Sequence, residues 1–419
     1  MRRLAVLVAL AAALAAPSVR ADAYADARQA LVAAYQSSDF AAMETAARAA
    51  LAARPEYPGA LFNLALAQAL NEDPDGSIQT LARLAAKGVD FGVAEMEEFR
   101  NVRELADWPS LAARLGALHD PVGELRVALQ LEADRFIPEG IAMDPAGDVF
   151  LGSIHRGTLV NATRGGEIQS DRAGHWSVFG MRFHPDGTLW FASAAVPQLE
   201  HVGDDAGRTG LFRFDPAAGR VTLAAELARA AHDQVLGDLV IADRDTIYTT
   251  DSLGGGVYRY RIDARRFETV VEPGVLGSPQ GLVLDATGRH LYVADYIGGL
   301  YRVTLADGAV RRLTVPGDVT DYGIDGLYRH DNLLIAIQNG VQPHRVAAFA
   351  MDADGVAITG CRVLAANHPS FDEPTLGLVR GDTFFFVANS HWNRFDRDNA
   401  LPDGLAGPTV LEIGLLPSK

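Results

Sequence analysis

Lysine is almost missing from this chain. Of 419 residues only Lys87 and Lys419 are lysines, and the formal net charge is −16. Nucleic-acid phosphates need basic partners, so a composition this acidic argues against a nucleic-acid binder and against an electrostatic membrane patch. Cysteine is equally scarce: Cys361 stands alone, which rules out an internal disulfide and a cysteine-based zinc site. Long apolar runs are missing as well. The run Leu4–Ala16 falls short of the ~20 residues a membrane helix needs, so no membrane anchor is expected. There is no G-x-S-x-G nucleophile elbow, no phosphate-binding P-loop and no His-Glu-x-x-His. The run GGG at 254–256 sits in a hairpin, and DRDNALPDG at 396–404 lacks the spacing of a calcium loop.

What is present begins with an export signal. Arg2 and Arg3 precede the apolar run, and SVRADA offers small residues at Val19 and Ala21 for cleavage. The expected leader covers 1–21, and the expected location is periplasmic or secreted. No Cys follows the run, so a lipid anchor is not expected either.

Residues 22–118 are rich in Ala and Leu with helical periodicity. Leu31, Met43, Ala47, Ala50 and Pro55 recur 34 residues later as Ala65, Ser77, Leu81, Leu84 and Val89. That period resembles tetratricopeptide arrays, with an ordinary helical bundle as the alternative. Such arrays present extended surfaces, which makes a protein partner the expectation for this segment. The sequence HDPVG at 119–123 ends the helical pattern, and period-two alternation follows.

Six later segments share one plan, in which a residue precedes Gly or Asp, then apolar residues, a polar turn and an apolar strand follow. They are PEGIAMDPAGDVFLGS, VFGMRFHPDGTLWFAS, LGDLVIADRDTIYTTD, PQGLVLDATGRHLYVAD, IDGLYRHDNLLIAIQ and TLGLVRGDTFFFVAN. Their spacing fits one four-stranded blade each, and turns such as PDGT and ATGR supply hairpins. The expected fold is mainly β: a six-bladed β-propeller over 122–416 with an N-terminal all-α helical-repeat domain. GELRVALQLEA, ahead of the first blade, is expected to supply the strand that the last blade lacks. The pattern resembles the gluconolactonase/regucalcin-like propellers, a superfamily that includes paraoxonases and strictosidine-synthase-like proteins. PQGLVLDATGRHLYVAD is similar to the gluconolactonase blade signature, and GDLVIADRDTIYTTDS to the strictosidine-synthase branch.

The residue before each inner Gly is expected at the channel mouth, with Gly allowing close backbone approach. Around the ring these are Glu139, Phe179, Gly237, Gln280, Asp325 and Leu376. Two carboxylates and an amide suit a hard cation such as Ca²⁺ or Mg²⁺. The alternative is a wet channel lined by solvated polar groups. The resemblance implies a metal held by a first-blade Glu and a fifth-blade Asp, matched by Glu139 and Asp325. It further implies an amide in the fourth blade, here Gln280, and an Asn-Asp pair in the third, here Gly237-Asp238. The paraoxonase-type second-blade His is Phe179. Ca²⁺ is the first expectation for the cofactor, with Mg²⁺, Mn²⁺ and Zn²⁺ as alternatives.

Residues ending the second strands should share that face. They include His155, Asp251, Asp295, Tyr296, Asn339, His391 and Trp392, a mixture that suits a small neutral or cyclic ester substrate. The resemblance implies a metal-dependent lactone or ester hydrolase, with Asp325, Asp238 or His155 as general base. A non-enzymatic binding propeller, docked through its helices, is the alternative, and strictosidine-synthase-like condensation a third reading.

Overall fold

The computed structural model describes residues 23–168 and 176–415. The expected leader and residue 416 lie outside them. The described chain divides into two compact units. One contains the residues up to Pro121 with two short segments, 315–322 and 341–343, and the other contains the rest.

Among its described residues the first unit holds six α-helices: α1 (Ala23–Gln36), α2 (Phe40–Ala53), α3 (Pro58–Leu70), α4 (Pro74–Ala86), α5 (Arg100–Arg103) and α6 (Trp108–Ala117). Their starts are encoded locally. The Asp39 side chain accepts from Ala42 N at the start of α2, and Asp73 accepts from Gly76 N at the start of α4. Pro58 and Pro74 stand at first-turn positions, where a missing N–H costs nothing. Of the residues that recur at 34 positions, Leu31, Met43, Ala47, Ala65, Leu81, Leu84 and Val89 are buried in one core, whereas Ala50 lies in a second, smaller cluster and Pro55 is exposed. Ser77 Oγ donates to Ala65 O and Thr80 Oγ1 to Gln68 Oε1, both at 2.8 Å, which fixes α4 against α3. The inserted segments belong to this unit by contact: the Tyr57 and Tyr322 rings meet at 5.1 Å, and Asp90 N donates to Gln342 O at 2.8 Å. Among the described residues no helix is long and apolar enough to cross a membrane.

The second unit is a six-bladed propeller made of six four-stranded sheets. The inner strands are Pro138–Met143, Ser177–Phe183, Leu236–Ile241, Pro279–Leu284, Ile324–His330 and Gly377–Arg380. They touch one another in cyclic order, the last meeting the first. Blade 6 takes its outermost strand, Arg126–Gln130, from ahead of blade 1, paired antiparallel with Thr409–Gly414. Deep apolar clusters fill the wedges between blades, including Phe384 stacked on Phe386 with ring centroids 5.6 Å apart.

Candidate functional site at the channel mouth

The inner strands position the site. In the first five, strand register slips between the residue before the channel position and the second residue after it, a β-bulge repeated blade by blade. Inside that bulge sits Gly in four blades and Asp238 in the third, and where it is Gly the reason is contact. A Cβ on Gly140 would lie 2.0 Å from Phe179 O, and one on Gly281 would lie 2.3 Å from Leu327 N. At Gly140 and Gly281 only a residue without a side chain lets neighbouring blades approach this closely.

The structure groups four carboxylates electrostatically at this end of the channel: Glu139, Asp238, Asp325 and Glu373. Burial raises Glu139 well above its ordinary value, and the negative charge of Asp325 adds to the rise. Burial likewise pushes Asp325 up to about 7, against the hydrogen bond that Asn339 gives it. Glu373 is also pushed up to about 7 by burial, opposed by the backbone N–H of Asn393. Asp238 is raised by burial, with Arg182 opposing. Its oxygens are already engaged: Oδ1 accepts from Leu239 N at 2.8 Å and Oδ2 from Arg182 at 3.3 Å. The Arg182 guanidinium also lies over the Tyr328 ring, 5.4 Å from its centroid.

Asn339 carries the clearest sign of an unmet need. Its Nδ2 donates to Asp325 Oδ2 at 2.8 Å and to Pro374 O at 3.0 Å. Two acceptors therefore fix which way the amide points. Its Oδ1 faces the other way, buried and without a hydrogen-bond partner. A buried acceptor left bare is costly unless a donor or cation meets it. Among the described residues no three His, Cys, Asp or Glu side chains stand close enough to hold a metal ion by themselves. A donor set of Glu139 and Asp325 completed by amide oxygens is of the all-oxygen kind that hard cations take. Gln280 is poised for this role, its amide held by Ser252 Oγ at 3.1 Å and Ser278 Oγ at 3.0 Å.

The remaining expected residues divide by partner. Asp295 accepts four backbone N–H groups, from Gly277, Ser278, Ile297 and Gly298, and so pins the loop entering blade 4 to the turn that follows. Asp251 does the same in blade 3 through Val235 N and Gly254 N. His155 is held at both ring nitrogens, with Nδ1 2.7 Å from Gln198 O and Nε2 3.3 Å from Arg135. The Tyr296 ring lies over Gly340, where an added Cβ would meet it at 2.7 Å. His391 Nδ1 lies 2.8 Å from Asp372 Oδ2, and Trp392 Nε1 donates to Glu139 Oε2 at 2.7 Å. Phe179 packs with Ile137, Ile154 and Val235, and Trp392 and Phe395 lie against that cluster, forming an apolar wall.

Glu373, Arg182 and Tyr328 have no counterpart in the sequence reading. Strict alternation along the inner strand gives Arg182 the opposite face from Phe179, and Tyr328 the opposite face from Asp325. The bulge cancels that alternation. Glu373 precedes the strand, where no period operates, and its only local signal is a positive φ of 63°. A cleft of about 750 Å³ lined by Val127, Met143, Arg380 and Glu412 lies at the far ends of these strands and shares no residue with the carboxylates.

No protein-family model and no curated protein matches the chain. Solved structures do. Regucalcin, a calcium-binding protein from Agrobacterium tumefaciens, is 17% identical over 70% of this chain and 95% of its own, with a TM-score of 0.49. A gluconolactonase from Xanthomonas campestris is 18% identical over 71% and 92%, with a TM-score of 0.47. The PQQ-bound form of an aldose sugar dehydrogenase from Streptomyces coelicolor is 13% identical over 69% and 97%, with a TM-score of 0.48. At these identities the likeness is one of fold.

Proposed function

We propose that this chain is an exported, divalent-cation-dependent hydrolase of lactones or related esters, acting at the channel mouth. The observation that carries the reading is the bare, buried Oδ1 of Asn339, whose Nδ2 donates to Asp325, the carboxylate whose charge acts on Glu139. Glu139, Asp325, Gln280 and Asn339 would hold the cation, Ca²⁺ first among Ca²⁺, Mg²⁺, Mn²⁺ and Zn²⁺. When bound, it supplies positive charge against which an ester carbonyl can be polarised.

The chain's own residues do the rest. Burial pushes Asp325 up to about 7 in the cation-free fold; beside a bound cation that value is lower and the carboxylate stays ionised, in the form that accepts a proton from water. The other base candidates are occupied: Asp238 by Arg182, and His155 by Gln198 and Arg135. Asp325 takes the proton of a water as its oxygen bonds to the carbonyl carbon. The ester C–O bond then breaks, and the proton passes to the departing alkoxide, giving a hydroxy acid. Phe179, Trp392 and Phe395 offer an apolar wall to a small neutral ester, while Asp251, Asp295, Tyr296 and His391 shape the rim.

A non-enzymatic binding propeller, with the helices docking a protein partner, is favoured by one observation: a buried guanidinium already neutralises Asp238. Thermal unfolding after chelation, then titration with each ion, separates the two. An ion at 100 times its dissociation constant adds about 2.7 kcal/mol, and Asp325→Asn should abolish the gain. A lactone and ester screen follows a positive result. No gain with any ion would leave the binding propeller. N-terminal sequencing of exported protein tests the leader, with a mature start at Asp22 expected.

A further inference from the structure

Two consecutive residues on one loop each donate to a different mouth carboxylate. Trp392 Nε1 donates to Glu139 Oε2 and Asn393 N to Glu373 Oε2, both at 2.7 Å. The loop runs from 388 to 408, between the second and third strands of blade 6. It is tied down at its base, where Asp372 Oδ2 meets His391 Nδ1 and the Arg394 guanidinium, each at 2.8 Å. Farther along, Gln198 of blade 2 donates to Asn399 Oδ1 at 2.8 Å. Phe395 lies against both the Trp392 ring, at 6.0 Å, and the His155 ring, at 5.9 Å. The strap therefore leaves blade 6 and crosses onto blades 1 and 2, bringing an indole N–H to the first-blade carboxylate.

Tryptophan suits this position because it donates but never accepts, and its flat ring packs on an apolar wall. The donor is neutral, so it orients Glu139 without cancelling its charge. Fixing Oε2 fixes the plane of the carboxylate. A lysine or arginine here would neutralise the negative charge that a cation needs.

We propose that Trp392 is the positioning residue of the mouth, its indole N–H setting the Glu139 carboxylate for a divalent cation and the Asp372-anchored strap holding that indole in place. The inference rests on the cation reading above and adds to it a residue that would not touch the ion. Partners that orient ligands in this way commonly change metal affinity about 10–100-fold when removed.

The test uses the full mature chain, chelated and then titrated with Ca²⁺ and, in separate runs, Mg²⁺, Mn²⁺ and Zn²⁺. Thermal unfolding and tryptophan fluorescence are read together. Wild type should show a saturable rise in melting temperature and a saturable fluorescence change. Trp392→Phe keeps a ring on the wall and removes the donor. It should fold but melt somewhat below wild type without the ion, because Glu139 loses a donor, and it should lose the fluorescence change and bind about tenfold more weakly or worse. Trp108→Phe, in the helical unit, should alter neither readout of ion binding. Asp372→Ala frees the base of the strap while leaving the indole N–H, and should weaken binding by a smaller factor. If Trp392→Phe does not fold, a loss of affinity in Asp372→Ala supports the proposal and unchanged affinity overturns it. Wild-type affinity in a folded Trp392→Phe overturns the positioning role while the cation reading stands. A wild type that binds no ion removes both.

Discussion

Asp325 and Glu373 each titrate near 7 in the fold, against 3.8 and 4.5 as ordinary values. Between those limits the folded state holds protons that the unfolded state has released. The stability these two groups contribute without cation is therefore full below about pH 4 and is lost as pH rises through 7. Melting chelated protein from pH 4 to 8 should show this decline, and a bound cation should restore more at pH 8 than at pH 5. Asp325→Asn should flatten the decline and raise the cation-free stability at pH 8 by about 1 kcal/mol, while abolishing the cation response. A variant less stable than wild type at pH 8 would argue against an unpaired buried charge. Glu139 and Asp325 were legible in the sequence because each precedes an inner Gly in a repeated motif. Glu373, which joins them electrostatically, was not, because it lies on a loop whose course is set by Ser390 Oγ and N donating to its carbonyl.

Among elements, the inner strands show what alternation can and cannot say. The apolar residue two places after the channel position is buried in the first five blades, as Ile141, Met181, Leu239, Leu282 and Leu327, and partly buried in the sixth, as Leu378. The bulge before those residues is invisible to a period-two reading, because an extra residue shifts the facing without changing composition. Gly281→Ala tests how tightly the bulges set the site. Its Cβ would meet Leu327 N at 2.3 Å and Asp325 O at 2.7 Å, both backbone atoms of blade 5. The substitution should cost about 1–3 kcal/mol in urea unfolding and weaken the cation response by displacing Asp325. Full stability with an unchanged response would show that the blades have slack at this contact.

For the propeller as a whole, closure depends on a strand from the opposite end of its sequence. Arg126–Gln130 covers the edge of Thr409–Gly414, which otherwise presents a row of unpaired N–H and C=O groups. A chain lacking 122–130 should melt at lower temperature and form aggregates by light scattering under conditions where the full chain is monodisperse. An unchanged melting temperature would mean that blade 6 stands on three strands.

The sequence by itself determined the number of blades, the polar turns, the helical pairs and the closing strand, because each follows from local periodicity and turn chemistry. It also determined that Glu139, Gln280 and Asp325 occupy equivalent places in their repeats. Only the tertiary structure decided what those places mean. It committed Asp238 to Arg182, bared the Asn339 oxygen, carried Trp392 from blade 6 to Glu139 and assigned segments 315–322 and 341–343 to the helical unit. These are pairings across long sequence separations. They depend on where bulges and loops aim single side chains, and no period in the chain records that.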